Sequence, residues 1–169
     1  NAGSALISGA LASYAFINTF LAAAAAFLCW MFLDWSVEGK PTAVGSSIGL
    51  VVGLVAITPA AGYVTISSSL IIGAVAALIC FFASLGVKKI THLDDALDVF
   101  ACHGMGGIVG AILTGLYASK AVNPTIAAEG LFVSGKWDLF VANVTAVGAV
   151  AVYSFIVTVV IVKLVNLVV

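Results

Sequence analysis

Charged and turn-forming residues divide this apolar chain into long uncharged segments. Residues 1–33 carry no charge, and neither do residues 42–87. One helix over the second segment would rise roughly 70 Å, whereas the hydrocarbon core of a bilayer is about 30 Å thick. The segment must therefore break, and the sequence TPAAGY at 58–63 supplies Pro59 and Gly62 as turn residues.

These divisions predict five membrane-crossing segments and four connections. The connections are expected at 34–41, 58–63, 88–94 and 119–136. The first span is expected to start near Ser13 and the last near Trp137, and the opening NAGSALISG is expected to be the end of an earlier helix. An upstream part of the protein is also expected, because the chain opens on an uncapped apolar stretch.

Composition supports a membrane protein and excludes several other classes. The chain is 63% hydrophobic and only 8% charged, whereas soluble domains carry about 25% charged residues. A soluble core of 169 residues cannot bury this much apolar surface, so lipid must be its main solvent. There is no basic patch for nucleic acid. We therefore predict an all-α, polytopic helical bundle in the cell membrane.

Lysines indicate the orientation of this bundle. Four lie at one end and two at the other, and cytoplasmic loops carry the excess of positive charge. This rule predicts that Asn1 lies near the outer surface and that the C-terminus lies inside. The first group is Lys40, Lys88, Lys89 and Lys163, and the second is Lys120 and Lys136.

Small and polar residues within the spans predict close helix packing. Gly45, Gly49 and Gly53 recur every four residues, a spacing that lets helix backbones approach each other in lipid. Asn18 and Asn143 are expected to form hydrogen bonds between helices. The cysteines have no metal-site spacing, and no catalytic constellation is visible, so neither an enzyme nor a cofactor is predicted.

One titratable side chain lies deep in a predicted span. His103 is about nine residues, or roughly 13 Å, from the cytoplasmic end of its helix. An ionisable residue at this depth is a candidate functional residue. Its neutral imidazole has one donor and one acceptor and can pass on a hydrogen bond in a narrow pore. Alternatively, the ring bonds a carbonyl of a neighbouring helix and only packs there.

Three acids begin the same helix and suit a structural role. Asp94, Asp95 and Asp98 can cap it and complement its dipole. Asp98 is one turn deeper, so it is expected to pair or to accept backbone hydrogen bonds. Ser4 and Thr58 are expected to bond backbone groups that irregular helices leave free.

The stretch DDALDVFACHGMGGIVGAILTGLYA at 94–118 resembles the signature of the ammonium transporter family, in the Amt branch of the Amt/Mep/Rh superfamily. NAGSA at 1–5 and ITPAAGYV at 57–64 resemble two further family motifs. The resemblance covers residues 1–169 as one membrane domain. It implies the second five-helix inverted repeat and the final long helix of an eleven-helix transporter, from the end of helix six, with the upstream half missing.

The resemblance also implies residue roles. His103 matches the second of two paired pore histidines, and Ser4 matches a serine that hydrogen-bonds ammonium at the outer recruitment site. Thr58 matches a position in the outer vestibule. Two further sets are implied: the apolar pore residues Val51, Val99 and Phe100, and the structural acids Asp95 and Asp98.

The implied function is ammonium transport without a cofactor. Ammonium would be recruited outside, and ammonia would cross a hydrophobic pore lined by the paired histidines. Family members are homotrimers in lipid, and many bind a P-II-type signal protein on the cytoplasmic face. Three alternatives remain: an ammonium-sensing receptor domain, a Rhesus-type ammonia or carbon dioxide channel, and a helical membrane subunit with no pore of its own.

Overall fold

The structure, a computed structural model, describes residues 1–91, 95 and 98–168, without the side chains of 88–91. Every regular element in these ranges is helical. A 3-10 turn (Ala2–Ala5) precedes the first helix, and a π-helical turn (Phe100–Met105) leads directly into the fourth. The helices are α1 (Ala10–Glu38), α2 (Ala43–Ile57), α3 (Ile66–Thr91), α4 (Gly106–Tyr117), α5 (Leu131–Ser134) and α6 (Asp138–Val165).

The described helices confirm most of the predicted division into spans, but the helix that carries His103 begins at Val99, so His103 lies four residues from its start rather than about nine. Four helical segments are long and apolar enough to cross a membrane: α1, α3, the π turn with α4, and α6. The fifth predicted span corresponds to α2, whose 15 residues rise only about 22 Å. The predicted break at 58–63 is confirmed, because turns separate α2 from α3 there.

Two predicted boundaries were wrong at the ends of α1. The helix begins at Ala10 rather than near Ser13. It also continues to Glu38 through most of the connection predicted at 34–41. The helix continues past Asp34, because the side chain of this residue is buried against the start of α2. The Thr42 hydroxyl donates a hydrogen bond to it there. The helix ends instead at Gly39, whose φ of 81° suits a glycine cap.

Helices α1, α2 and α3 form the main core through close backbone contacts. A Cβ on Gly53 would lie 2.6 Å from the Ala22 carbonyl oxygen, and a Cβ on Gly73 would collide with the same carbonyl. Trp30 fills the neighbouring part of the core, where Gly49 packs directly against its side chain. The packing predicted from the glycine spacing in α2 is therefore confirmed.

Helix α6 lies against α4 and contributes no buried residue to the described bundle. The Asn143 amide donates to the Ala111 carbonyl oxygen at 2.8 Å, which confirms the predicted bond between helices. A Cβ on Gly115 would lie 3.0 Å from the Phe140 Cα, so the two backbones are close at this level. Most of the surface of α6 remains available to lipid or to another part of the protein.

Candidate functional site

Helix α2 has one face in the core and one face open. Its glycines and Val52 are buried, because they pack against α1 and α3. Ser47, Val51 and Thr58 follow one another at helical spacing on the exposed side. Thr58 is seven residues beyond Val51, so it lies about 10 Å further along nearly the same face. The open face is therefore apolar at its centre and has a hydroxyl towards each end.

The π-helical turn before α4 places a second set of candidate residues on the surface. Val99, Phe100 and His103 are all exposed in the described chain. The Phe100 ring folds over Gly104, where a Cβ would lie 3.2 Å from the ring. Short π turns inside α-helices are frequent at functional sites. Helical periodicity in the sequence did not reveal this turn, because its extra residue changes only the local backbone bonding.

One member of each predicted set meets in an open groove of about 400 Å³, whereas Val99 and Phe100 are not among the residues that line it. Val51 of α2 and His103 of the π turn both line it. The structure therefore brings together two residues that the sequence analysis selected separately. The other lining residues are Ala43, Val44, Ser47, Ile48 and Cys102, so the His103 ring lies in largely apolar surroundings.

Two aspartates hold the start of the π turn. The Asp95 carboxylate accepts hydrogen bonds from the Val99 and Phe100 amides at 2.8 and 2.9 Å, as a helix cap does. Asp98 is buried, and the Ser84 hydroxyl donates to its carboxylate. These bonds position the backbone that carries His103. Asp94 lies outside the described residues.

Asp98 has an unusual backbone and a second acid nearby. Its φ is 52°, a left-handed value that aspartate tolerates better than most residues. It lines a cavity of about 180 Å³ together with Asp34 and Thr42. Each of these two aspartates is only 3% exposed. Asp34 was not predicted as a buried acid, because it opens the polar stretch 34–41 that was expected to be a loop. Among the described residues, no cluster of three or more metal-binding side chains is found.

Ser4 and Thr58 lie outside the His103 groove. Ser4 is exposed in the 3-10 turn, which the Asn1 amide attaches to α1 by donating to the Thr19 hydroxyl at 2.9 Å. The Thr58 hydroxyl donates to the Leu54 carbonyl oxygen at 2.8 Å. A backbone bond for Thr58 was predicted and is confirmed, whereas no such bond is recorded for the Ser4 hydroxyl in the described ranges.

The break after α2 is held by side chains from other elements. The buried Asn18 amide donates to the Ala61 and Val64 carbonyl oxygens at 2.9 and 2.8 Å. The Ser119 amide donates to the Tyr63 carbonyl oxygen at 2.8 Å. These bonds satisfy backbone groups that the interrupted helix leaves free. Asn18 was predicted to bond another helix, and it bonds the connection between α2 and α3 instead.

Comparisons with known proteins agree along the whole chain. The sequence model of the Ammonium Transporter Family matches residues 1–169. The chain is 47% identical over 167 residues to an ammonium transporter of Bacillus subtilis, covering 99% of this chain and 41% of that protein. The crystal structure of Candida albicans Mep2 superimposes with a TM-score of 0.87 at 41% identity, covering 95% of this chain and 36% of that one.

The more distant structure of a sensor Amt protein superimposes with a TM-score of 0.70 at 24% identity, covering 89% of this chain and 39% of that one, which shows a shared fold only. The chain spans about two fifths of the relatives' length. Together with the four long apolar helices, the comparisons identify an integral membrane protein.

Proposed function

Since the chain belongs to the ammonium transporter family, we propose that it forms the C-terminal part of the membrane domain of an ammonium transporter. In this proposal the whole protein recruits ammonium outside the cell and conducts ammonia through a hydrophobic pore. The chain would supply the second inverted repeat and the last helix of an eleven-helix fold. The upstream half would supply the aromatic residues of the outer site and the first pore histidine.

The observation that carries the proposal is the position of His103. Its imidazole lines an open, largely apolar groove beside Val51. Across the described ranges neither ring nitrogen has a recorded hydrogen-bond partner, whereas a histidine that only packs is expected to bond a carbonyl. A polar ring on an apolar face within a span is costly unless it meets a partner or a polar substrate. A second histidine and a file of ammonia molecules would provide both.

The apolar wall gives selectivity in this mechanism. Val51, Val99 and Phe100 offer no polar atom that replaces the hydration of an ammonium ion. Transfer of a bare cation into such surroundings costs far more free energy than transfer of neutral ammonia. The ammonium ion therefore transfers a proton to water at the outer end, and ammonia moves along the imidazoles, which donate and accept hydrogen bonds.

The remaining candidate residues flank this path. Ser4 would bind ammonium at the outer recruitment site through its hydroxyl, and Thr58 would line the vestibule. Asp95 and Asp98 would act structurally, because their bonds hold the π turn. The proposal includes a homotrimer with one pore in each subunit and a cytoplasmic face that binds a P-II-type signal protein.

The test compares His103→Ala with His103→Gln in the full-length protein, reconstituted into liposomes, with Val144→Ala as a control. Val144 is exposed on α6 and does not line the groove. Ammonium-dependent flux and membrane current are measured together. We expect His103→Ala to lower flux about tenfold or more, since a lost hydrogen bond to a buried polar group is worth about 1–3 kcal/mol. Val144→Ala should transport normally.

Normal flux through His103→Ala would contradict the pore role. Binding of ammonium without flux in the unsubstituted protein would instead select the receptor alternative. Carbon dioxide conductance with little ammonium flux would select a Rhesus-type channel. An unsubstituted protein that neither binds nor conducts would select the alternative of a subunit without a pore.

A further inference from the structure

A second groove lies between α4 and α6, away from His103. Its volume is about 580 Å³, within the range of about 300–1,000 Å³ typical of ligand sites. Most of its surface is apolar. Pro59 and Tyr63 close one side, and Ala111 and Thr114 of α4 face Leu139, Ala142 and Val147 of α6.

The apolar groove continues into a polar pocket of about 370 Å³. The two share Ala127, Ala128 and Asp138, so they form one elongated site, which we call the α4–α6 site. The polar pocket contains two lysines, Lys120 and Lys136, and two carboxylates, Glu129 and Asp138. One end of the site is therefore apolar, and the other carries both signs of charge.

The charged groups at the polar end are available to a ligand. The Lys120 backbone amide donates to the Glu129 carboxylate at 3.0 Å, which orients that carboxylate. In the part of the chain that the structure describes, no ion pair is recorded for the ammonium groups of Lys120 or Lys136. The pocket can therefore bind an anionic and a cationic group at the same time.

The depth of the site matches one leaflet of a bilayer. It follows α6 from Asp138 to Val147, a rise of roughly 13 Å, and half of a hydrocarbon core is about 15 Å. Aromatic residues lie next to the lining residues along the chain. The Trp137 ring contacts Phe140 and the Tyr117 ring contacts Phe132, as in the aromatic belt of a membrane–water interface.

We propose that the α4–α6 site binds one phospholipid with a zwitterionic, primary-amine headgroup, phosphatidylethanolamine. An acyl chain fills the apolar groove, the phosphate contacts Lys120 and Lys136, and the ammonium group donates hydrogen bonds to Glu129 and Asp138. A headgroup with only negative charge leaves the two carboxylates without a cationic partner, and a quaternary amine has no N–H group to donate. The proposal requires a bilayer but does not depend on ammonium transport.

Photo-crosslinking of the full-length protein in nanodiscs tests the site. The probe is phosphatidylethanolamine with a diazirine in one acyl chain, and labelled peptides are mapped by mass spectrometry. We expect labelling within 139–147. Ala142→Phe, which fills the groove, should lower labelling at least tenfold, whereas Val141→Phe should not. Val141 is the matched control, because it is exposed on the same helix and does not line the groove.

Competition with unlabelled lipids tests the headgroup. We expect phosphatidylethanolamine to displace the probe about fivefold better than phosphatidylglycerol or phosphatidylcholine, and Lys136→Gln to weaken binding about fivefold, since one lysine near a lipid surface is worth about 1 kcal/mol. Equal competition by phosphatidylglycerol would overturn the headgroup assignment. Absence of labelling in the unsubstituted protein would overturn the site, because another protein segment then occupies the groove. Equal labelling of the two phenylalanine variants would also overturn it.

Discussion

Replacing Gly53 with alanine tests the closest contact in the core. Gly53 lies at the crossing of α2 with α1. The added Cβ would lie 2.6 Å from the Ala22 carbonyl oxygen, 2.7 Å from the Ala23 Cα and 2.7 Å from the Ala26 Cβ. Ordinary carbon contacts are about 3.5–4.0 Å. Two of the three neighbours are backbone atoms that cannot rotate away, so the helices must separate by about 1 Å.

Two opposing effects set the size of this change. Overpacking of a well-packed core costs about 1–3 kcal/mol, and more when backbone must move. Alanine in place of glycine favours the helix by about 1 kcal/mol. The steric effect is the larger, and we expect a net loss of about 2 kcal/mol in the free energy of unfolding. Gly148→Ala is the matched control, since a Cβ there meets nothing within 4 Å and only the helix-favouring effect remains.

The assay is thermal unfolding of the full-length protein in detergent, followed by tryptophan fluorescence. At about 2–4 °C per kcal/mol, a value for domains of 150–250 residues, the Gly53→Ala variant should melt several degrees below the unsubstituted protein. The Gly148→Ala variant should melt at the same temperature or slightly above it. If Gly53→Ala melts no lower than Gly148→Ala, the close approach of α1 and α2 is refuted.

Two further changes test polar groups that support the fold. Asn18→Leu removes the side-chain amide that donates to the Ala61 and Val64 carbonyl oxygens. A buried unsatisfied group costs about 1–3 kcal/mol, so we expect the free energy of unfolding to fall by about 2–4 kcal/mol in the same melting assay. A melting temperature equal to that of the unsubstituted protein would mean that Asn18 does not hold the break. Asp95→Ala removes a helix cap worth about 1 kcal/mol, so hydrogen exchange at the Val99 amide should become faster. Asp95→Asn keeps a capping side chain and should leave this exchange rate unchanged. Unchanged exchange in Asp95→Ala would exclude the capping role.

The division into spans was readable from the sequence because it depends on a one-dimensional property. A charge is costly in hydrocarbon whichever neighbours its helix packs against. Uncharged runs and turn residues were therefore enough to locate the break at 58–63 and the start of α6. The same reasoning failed at Asp34. There a carboxylate is buried against Thr42 rather than solvated, and only the neighbouring helix provides that partner.

The candidate residues were also selected from the sequence, chiefly because His103 is a titratable group in an apolar run and its surroundings resemble a family motif. Their arrangement was not readable in this way. Val51 and His103 lie on different helices, and they share a groove only because the glycine face of α2 turns inward against α1. The π turn likewise depends on the bonds that Asp95 and Ser84 make around Asp98.

The sequence by itself therefore determined that lipid surrounds this protein, where most of its spans lie and that His103 is a titratable group within an apolar run. Local hydrophobicity and turn chemistry act on neighbouring residues and need no knowledge of the fold. Only the tertiary structure decided which face of each helix is open, which carbonyls Asn18 satisfies and where grooves form. Those features depend on contacts between residues far apart in the chain, and small side chains permit many alternative helix crossings until packing selects one.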